Sequence, residues 1–422
     1  MSKYIYGIDF GTTNSAISII DTTTNEIIKT FNESSLIYFP QPKDRRSELH
    51  YFVGKEAIEQ YVSNNMHGRF LKSIKRVLPR SGFKETRIFG KKYTAEDLVS
   101  LILKYLKKKA DNYINFEVKR AVFGRPVVFD ENPEKDNLAQ QRLLKAAKLA
   151  GFEDVAFQME PIAAAFTYER LIQNPQTVLV ADLGGGTSDF TLMKLNPKKL
   201  NQVERKSDII GQGGIYIGGD NFDSAIMWNK GTYHFGRGLT YMDFDTAVEL
   251  PKSLFLNICS WEKMNFFDTL RLKNALDKFY FLTGNNPRFQ NLQTLVKNNL
   301  GYSIFQSIEK AKIELSQQES VNLEYSKQGI EINEPISIAE FSNKIVASDV
   351  SKIRTYLEDF LQKSNIKSDE IDTVFMTGGT SLAKPIRDFI IDLFGEESLK
   401  SGDNFNSVAN GLAYSHVLFF KK

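Results

Sequence analysis

Two stretches of this sequence carry residue types suited to handling phosphate. In YIYGIDFGTTNSAISI an apolar run meets an acid, Asp9, and is followed by Gly11, Thr12, Thr13 and Asn14. In TVLVADLGGGTSD the run from Thr177 to Val180 leads through Ala181 to Asp182, and Gly184, Gly185, Gly186, Thr187 and Asp189 follow. Consecutive glycines let a backbone take positive φ and approach a ligand closely, so their amides can point at phosphate oxygens. A carboxylate beside such a cradle repels phosphate unless a cation stands between them. Mg²⁺, which keeps most of its waters and is held by few carboxylates, suits that place. A glycine-rich hairpin with no ligand is the alternative for either stretch alone, and a second copy in the same chain weighs against it.

Each acid must be presented by a buried strand that stops at a tight turn. The repetition of strand, acid, glycine and hydroxyl in both halves suggests an internal duplication, two related lobes facing one phosphate chain. At 422 residues the chain is long enough for two such lobes. The expected layout is lobe I over 1–175, with a subdomain inserted at about 41–116, and lobe II over 176–400, with a subdomain at about 226–318. A C-terminal helix within 401–422 would return to lobe I. Between these landmarks, Glu56 to Val62, the segment around Phe70 to Val77, Thr94 to Tyr113 and Pro133 to Ala150 read as helices, the last closed by Gly151. Pro161 fits the first turn of a helix from Ile162 to Leu171, which leaves Glu160 at its mouth, where the helix dipole favours a carboxylate. Asn322 to Ile332 reads as a strand and Ile338 to Phe360 as one long amphipathic helix. A strand from Asp372 to Met376 runs into Gly378 and Gly379 before a helix from about Ala383, whose free amides could meet an anion or a nucleoside. The aromatic segment Trp228 to Phe267 reads as an insertion whose rings form either its own core or a partner patch.

Composition narrows the classes. Lys and Arg total 54 against 51 Asp and Glu, a net charge of +3, which gives no ground for nucleic acid or an anionic membrane as partner. The run of Lys104, Lys107, Lys108 and Lys109 reads as a solvated helix face. One cysteine, Cys259, excludes an internal disulfide, and the four scattered histidines show no metal-pair spacing. With no apolar run of membrane-spanning length and no signal-peptide pattern, a cytoplasmic protein is expected.

IDFGTTNS, DLGGGT with its trailing Asp189, GGDNFD and the late VFMTGG occur in this order across nearly the whole chain. Together they resemble the nucleotide-binding domain of the DnaK-type heat-shock chaperones, a branch of the actin and sugar-kinase superfamily. No G-x-x-x-x-G-K-[ST] occurs, so a P-loop architecture is disfavoured. The resemblance implies an α/β, two-lobed actin-like ATPase, a duplicated ribonuclease-H-like fold with Mg-ATP in the cleft between lobes. It places Gly11, Thr12, Thr13 and Asn14 on one phosphate loop and Gly184, Gly185, Gly186 and Thr187 on the other, with Gly218, Gly219, Gly378 and Gly379 as further nucleotide contacts. Asp9 and Asp182 would hold the metal through water. Lys75, in the Lys75-Arg76 pair, matches the lysine that reaches the γ-phosphate. Glu160, in MEPIAAAF, matches the acid that helps to set metal and attacking water, and Asp182, Thr187 and Asp189 complete the implied catalytic set. In SIEKAKIELS, Glu309, Lys312 and Ser316 match ribose and base contacts. Ile313 and Leu382 stand where the family commonly has arginines, which removes a cation-π contribution to adenine. An acidic-leucine linker, β-sandwich peptide-binding domain and helical lid have no counterpart before Lys422, as in the truncated, YegD-like members.

The expected function is a Mg-dependent, slowly hydrolysing, chaperone-like ATPase that signals to a protein partner through lobe closure. A small-molecule kinase of the same superfamily and a nucleotide-dependent filament protein use the same two loops, and fold alone does not separate the three.

Overall fold

The computed structural model describes residues 3–42, 44, 49–64, 67–200, 202, 205–260, 270–401 and 406–420. Strand β1, Tyr4–Phe10, pairs antiparallel with β2, Asn14–Asp21, which pairs antiparallel with β3, Glu26–Ser34. On the other side of β1 lies β4, Arg120–Arg125, parallel to it, and then β5, Asp154–Met159, parallel to β4. The second sheet repeats this plan. Strand β6, Gln176–Leu183, pairs antiparallel with β7, Ser188–Leu195, and β7 with β8, Ile209–Ile215. Strand β9, Thr373–Thr377, runs parallel to β6, and β10, Leu399–Ser401, parallel to β9. Both sheets are five-stranded and share one connectivity, so the duplication read from the glycine motifs extends to the topology. Strands β1 and β6 lie inside their sheets and read as nearly continuous apolar runs, as strands covered on both faces should.

Helices flank the sheets where capping and periodicity place them. Helix α1, Ala95–Ile114, opens on a capping box in which Thr94 and Asp97 satisfy each other's amides. Helix α2, Pro133–Leu149, starts from the Asn132 cap and ends before Gly151 at φ +97°. Helix α3, Glu160–Glu169, carries the chain from β5 to β6 and packs against α4, Ser407–Tyr414. Of the basic run, Lys107 is buried and paired with Asp111 at 2.6 Å, and Lys109 with Glu33 at 2.5 Å, so part of it is structural.

Several elements differ from expectation. Phe70 to Val77 is not one helix: Arg69–Lys72 is a strand paired with Leu36–Phe39, and a single 3₁₀ turn, Ile74–Val77, follows a left-handed Ser73 at φ +59°. Asn322 to Ile332 spans a hairpin, Ser320–Lys327 with Ile330–Ser337, turned at Gln328-Gly329, both at positive φ. The expected helix Ile338 to Phe360 is broken. A short turn, Ile338–Glu340, and a π turn, Phe341–Ile345, precede a helix Ala347–Lys363. Part of the aromatic insertion, 261–269, lies outside the described residues. In the rest, Phe235 and Phe255 are buried, while Phe244 is 96% exposed at the tip of the hairpin Thr240–Asp243 with Thr246–Glu249. The rings thus serve both as core and as surface.

The chain divides into two compact units. One comprises Met1–Gly219, Ile353–Leu382 and Ile386–Lys422 and holds both five-stranded sheets; the other comprises Asp220–Lys352 and Ala383–Pro385.

Two tests follow from the packing. A Cβ at Gly411 in α4 would overlap the carbonyl oxygen of Ala163 in α3, so Gly411→Ala should destabilise the protein by about 2 kcal/mol or more and lower Tm. Unchanged thermal unfolding would place the two helices further apart. His416 is buried, its Nδ1 within 2.9 Å of the Ala413 carbonyl, and burial lowers its pKa below the ordinary 6.5, with Arg170 adding repulsion. The unfolded chain therefore takes up this proton first, and stability is lost as pH falls through and below 6.5. His416→Gln should flatten the pH dependence of Tm between neutral and mildly acid pH; an identical slope in both proteins would remove His416 as its source.

Candidate functional site

The two acid-bearing hairpins are built alike. Phe10 pairs with Ser15 across the first turn and Leu183 with Ser188 across the second, so each loop holds four residues, 11–14 and 184–187. Asp9 and Asp182 occupy equivalent positions one residue before the strand ends. Opposite Asp9 lies Ala16, whereas opposite Asp182 lies Asp189, a pair of like charges that a sheet alone would disfavour.

Glycine lets further backbone close on the second loop. A Cβ at Gly218 would lie 2.6 Å from the Gly184 carbonyl oxygen, and the Gly219 amide donates to that oxygen at 3.1 Å. Gly378, at φ +79°, presses against Leu183, where any side chain would overlap the carbonyl. The Thr380 hydroxyl also donates to the Gly184 carbonyl, at 2.7 Å, and Ser188 to that of Ile217. The two loops are close as well: a Cβ at Gly186 would lie 3.1 Å from Thr12 Oγ1 and 3.3 Å from Arg76 Nε.

Lys75 stands among the acids. The left-handed Ser73 turns β-strand into the 3₁₀ turn that carries Lys75, a strained geometry of the kind retained where a side chain must be aimed. Its Nζ donates to Glu160 Oε1 at 2.7 Å, with both side chains about 10% exposed or less. Glu160 is the first residue of α3, so the helix dipole supports its negative charge. Asp189 Oδ1 accepts the Val127 amide at 3.1 Å.

The charges do not balance. Burial and the nearby Glu160 push the Asp9 carboxyl up to about 7, against the pull of Lys75. Burial, Glu160, Asp9 and Asp189 hold Asp182 well above the ordinary carboxylate range. Asp189 also rises to about 7, mainly through burial, although a hydrogen bond with Thr187 opposes this. Burial would lower Lys75, but Glu160 and Asp9 keep it above its ordinary value. Four carboxyls thus share one ammonium, and a further cation would relieve them. Among the described residues no three His, Cys, Asp or Glu side chains could hold a bare metal ion together. A hard divalent cation that keeps its water fits the donor set, and the glycine-bounded turns fit a phosphate chain.

The first unit therefore brings together Asp9, Thr12, Lys75, Glu160, Asp182 and Asp189 with the loops of Gly11, Thr13 and Asn14 and of Gly184 to Thr187. Gly218, Gly219, Gly378 and Gly379 lie on the segments beside the second loop. Glu309, Lys312 and Ser316 belong to the second unit: the first two on the helix Gly301–Glu314, Ser316 in the turn beyond it. There Lys312 pairs with Asp223 at 2.7 Å; burial would lower its pKa, but Asp223 and Glu309 keep it raised. Two contributors escaped the sequence reading. Val127, which donates its amide to Asp189, follows Gly124-Arg125-Pro126, a stretch with turn residues that could have marked it. Thr380, which clamps Gly184, sits within GGTS and could have been read with its glycines.

Comparison with known proteins agrees with this geometry. The family described as Hsp70 protein matches residues 5–230 and 289–419, leaving 231–288 unmatched. The chaperone protein DnaK of Thermosipho melanesiensis is 26% identical over 424 residues, covering 97% of this chain and 58% of the relative. DnaK of Thermotoga neapolitana is 27% identical over 422 residues, covering 97% and 59%. The chain thus spans less than two thirds of the length of these relatives. With the family matched across most of its length on both five-stranded sheets, this chain belongs to the Hsp70 family, whose fold is the two-lobed, actin-like ATPase.

Proposed function

We propose that this chain binds ATP with Mg²⁺ and hydrolyses it slowly, as a chaperone-like ATPase whose nucleotide state is read by a protein partner through movement of lobe I, 1–175, against lobe II, 176–400. The observation that carries this reading is the buried Lys75–Glu160 pair set among Asp9, Asp182 and Asp189 beside two glycine-bearing turns. Phosphoryl transfer needs positioning and charge neutralisation more than covalent help. The metal would supply neutralisation of the phosphate oxygens, and Asp9 and Asp182 would hold it through its waters. Lys75 offers a point charge that Glu160 keeps aimed. Asp189, fixed by the Val127 amide, is an acceptor able to orient a water. The turns 11–14 and 184–187, with Gly218, Gly219, Gly378 and Gly379, would receive the phosphates, and Glu309, Lys312 and Ser316 the nucleoside. Among the described residues no helix is long and apolar enough to cross a membrane; a cytoplasmic setting remains part of the proposal.

Phosphate release from ATP, measured with and without Mg²⁺ and with candidate hydroxyl acceptors, tests the reaction. Slow release that needs Mg²⁺ and ignores acceptors is expected; acceptor-dependent ADP formation would make the chain a kinase. Lys75→Ala should cost about 3 kcal/mol in the barrier, roughly a hundredfold or more in rate, with a smaller loss of ADP affinity. Equal losses for turnover and ADP binding would remove Lys75 from the chemistry. Asp9→Asn and Asp182→Asn should each weaken Mg²⁺-dependent nucleotide binding. Because Asp182 is a buried like charge, Asp182→Asn should also raise Tm in the absence of nucleotide and metal. A lower Tm together with intact Mg²⁺ dependence would refute the assignment.

A further inference from the structure

Helix α3 bears an acid at each end. Glu160 begins it and Glu169 ends it, 1% exposed, where the helix dipole is negative and a buried carboxylate is doubly disfavoured. Glu169 is nevertheless held firmly. Arg205 forks onto it, with Nη1 to Oε2 at 2.8 Å and Nη2 to Oε1 at 2.7 Å, and the Asn196 amide donates to Oε1 at 2.9 Å. Arg205 Nε also donates to Asp208 at 2.6 Å, Asp208 pairs with Lys199, and the guanidinium lies 4.9 Å from the Phe166 ring centroid on α3 itself. Asn196, Lys199, Arg205 and Asp208 all come from the connection between β7 and β8 of the second sheet.

The two ends of α3 are therefore tied to different places. Its start is bound to Lys75, which stands between β3 and β4 in the part of the chain that forms the first sheet; its end is bound to the second sheet. Between them the helix presents Ala163, Ala164 and Ala165, and at Ala163 it meets α4 backbone to backbone across Gly411. On its other positions the helix is keyed by large side chains: Ile162, Phe166 and Tyr168 are buried among Val178, Val180 and Phe375 of the second sheet, and the Thr167 hydroxyl donates to the Ser407 carbonyl at 2.7 Å. At the last turn of α3 Arg205 joins both kinds of anchor, forked onto Glu169 and lying over the ring of Phe166, so it holds the same turn that the aromatic packing seats.

We propose that Arg205 is a positioning residue for the Lys75–Glu160 pair, acting through α3. The inference rests on the reading of that pair as part of the ATP site only for its catalytic consequence; the mechanical link stands on the geometry of α3 itself. Arg205 touches neither Lys75 nor Glu160. It fixes the helix end from which Glu160 is aimed, and a planar fork does this where an ammonium cannot.

The test compares the whole chain with Arg205→Met, Arg205→Lys and the double variant Glu169→Met/Arg205→Met, in which apolar side chains replace the buried pair and keep the protein folded. The probe is acetylation of lysine amines by acetic anhydride, quantified peptide by peptide. Lys75 is followed against Lys107, an equally buried lysine paired with Asp111. If Arg205 positions the pair, Lys75 labelling rises about fivefold or more in Arg205→Met and in the folded double variant, while Lys107 stays within about twofold. Arg205→Lys, charged but without the fork, labels Lys75 faster than the parent chain. A parallel rise at both lysines, or no rise at Lys75 in the folded double variant, overturns the proposal and leaves the network as a structural tie. Where the parent chain hydrolyses ATP, the double variant loses about tenfold in kcat with ADP affinity within about twofold; an unchanged kcat overturns the proposal. Selective Lys75 labelling in a parent chain that binds but never hydrolyses ATP supports the role of Arg205 and refutes hydrolysis alone.

Discussion

The constraint on which this structure turns is an unbalanced buried charge. Asp9, Glu160, Asp182 and Asp189 face a single ammonium, Lys75, and burial together with mutual repulsion raises three of the four carboxyls. A cluster chosen for stability would carry a second cation or an amide in place of one acid, because an uncompensated buried carboxylate costs several kcal/mol. The fold tolerates the imbalance by over-determining the surroundings. Two equivalent sheets end their central strands at the same point, and their turns are held by backbone contacts that glycine alone permits. Rigidity of this kind keeps the acids from relaxing apart.

The same requirement explains the small residues on α3 and α4. An acid at the start of α3 can reach Lys75 only if the helix lies close under the sheets, and close approach is incompatible with side chains at the helix contact. Ala163 to Ala165 and Gly411 meet that condition. The smooth contact sets the separation of the two helices, while Phe166 and Tyr168 on the remaining face of α3 and the polar groups at its ends set its orientation. The Glu169–Arg205–Asp208 cluster is costly as a stabilising device and intelligible as an orienting one.

Most of the scaffold was legible in the residues. Apolar runs ending in Asp9 and Asp182, the helical spacing of Thr94 to Tyr113 and Gly151 after Pro133 to Ala150 mark their elements because local chemistry decides them. Where tertiary pairing overrides local pattern, the reading failed. Phe70 and Leu71 are spaced acceptably for a helix, yet pairing with Leu36–Phe39 draws them into a strand, and the Gln328-Gly329 turn was passed over inside an apparently continuous run. The break at Phe341–Ile345 lies in a pattern with no proline or glycine to announce it. Within the candidate site, the acids and glycines were visible as motifs. Lys75 was reached only by resemblance, since nothing local separates it from Lys72 and Arg76 in the same segment. Arg205 had none at all: its partners Glu169 and Asp208 are ordinary charged residues until the fold assembles them.

Phosphate and nucleoside recognition obey different physics, which bears on how far the family likeness reaches. The region proposed to take the phosphates sets buried acids beside glycine turns bounded by backbone, so many substitutions there would disturb either an electrostatic balance or a steric contact. Of the positions where arginine is common in the family, Ile313 is 58% exposed on the helix Gly301–Glu314 of the second unit, and Leu382 is 40% exposed on the turn Gly379–Leu382 of the first. An exposed aliphatic side chain can contribute apolar contact to any base, but it lacks the cation that would favour a particular π face. Lys312, by contrast, is held by Asp223 within its own unit and keeps a defined position without any ligand. On the proposed reading, a chain arranged in this way would keep the demanding part of nucleotide recognition, the triphosphate and its cation, and discrimination among bases would fall to the few polar groups around Glu309 and Lys312.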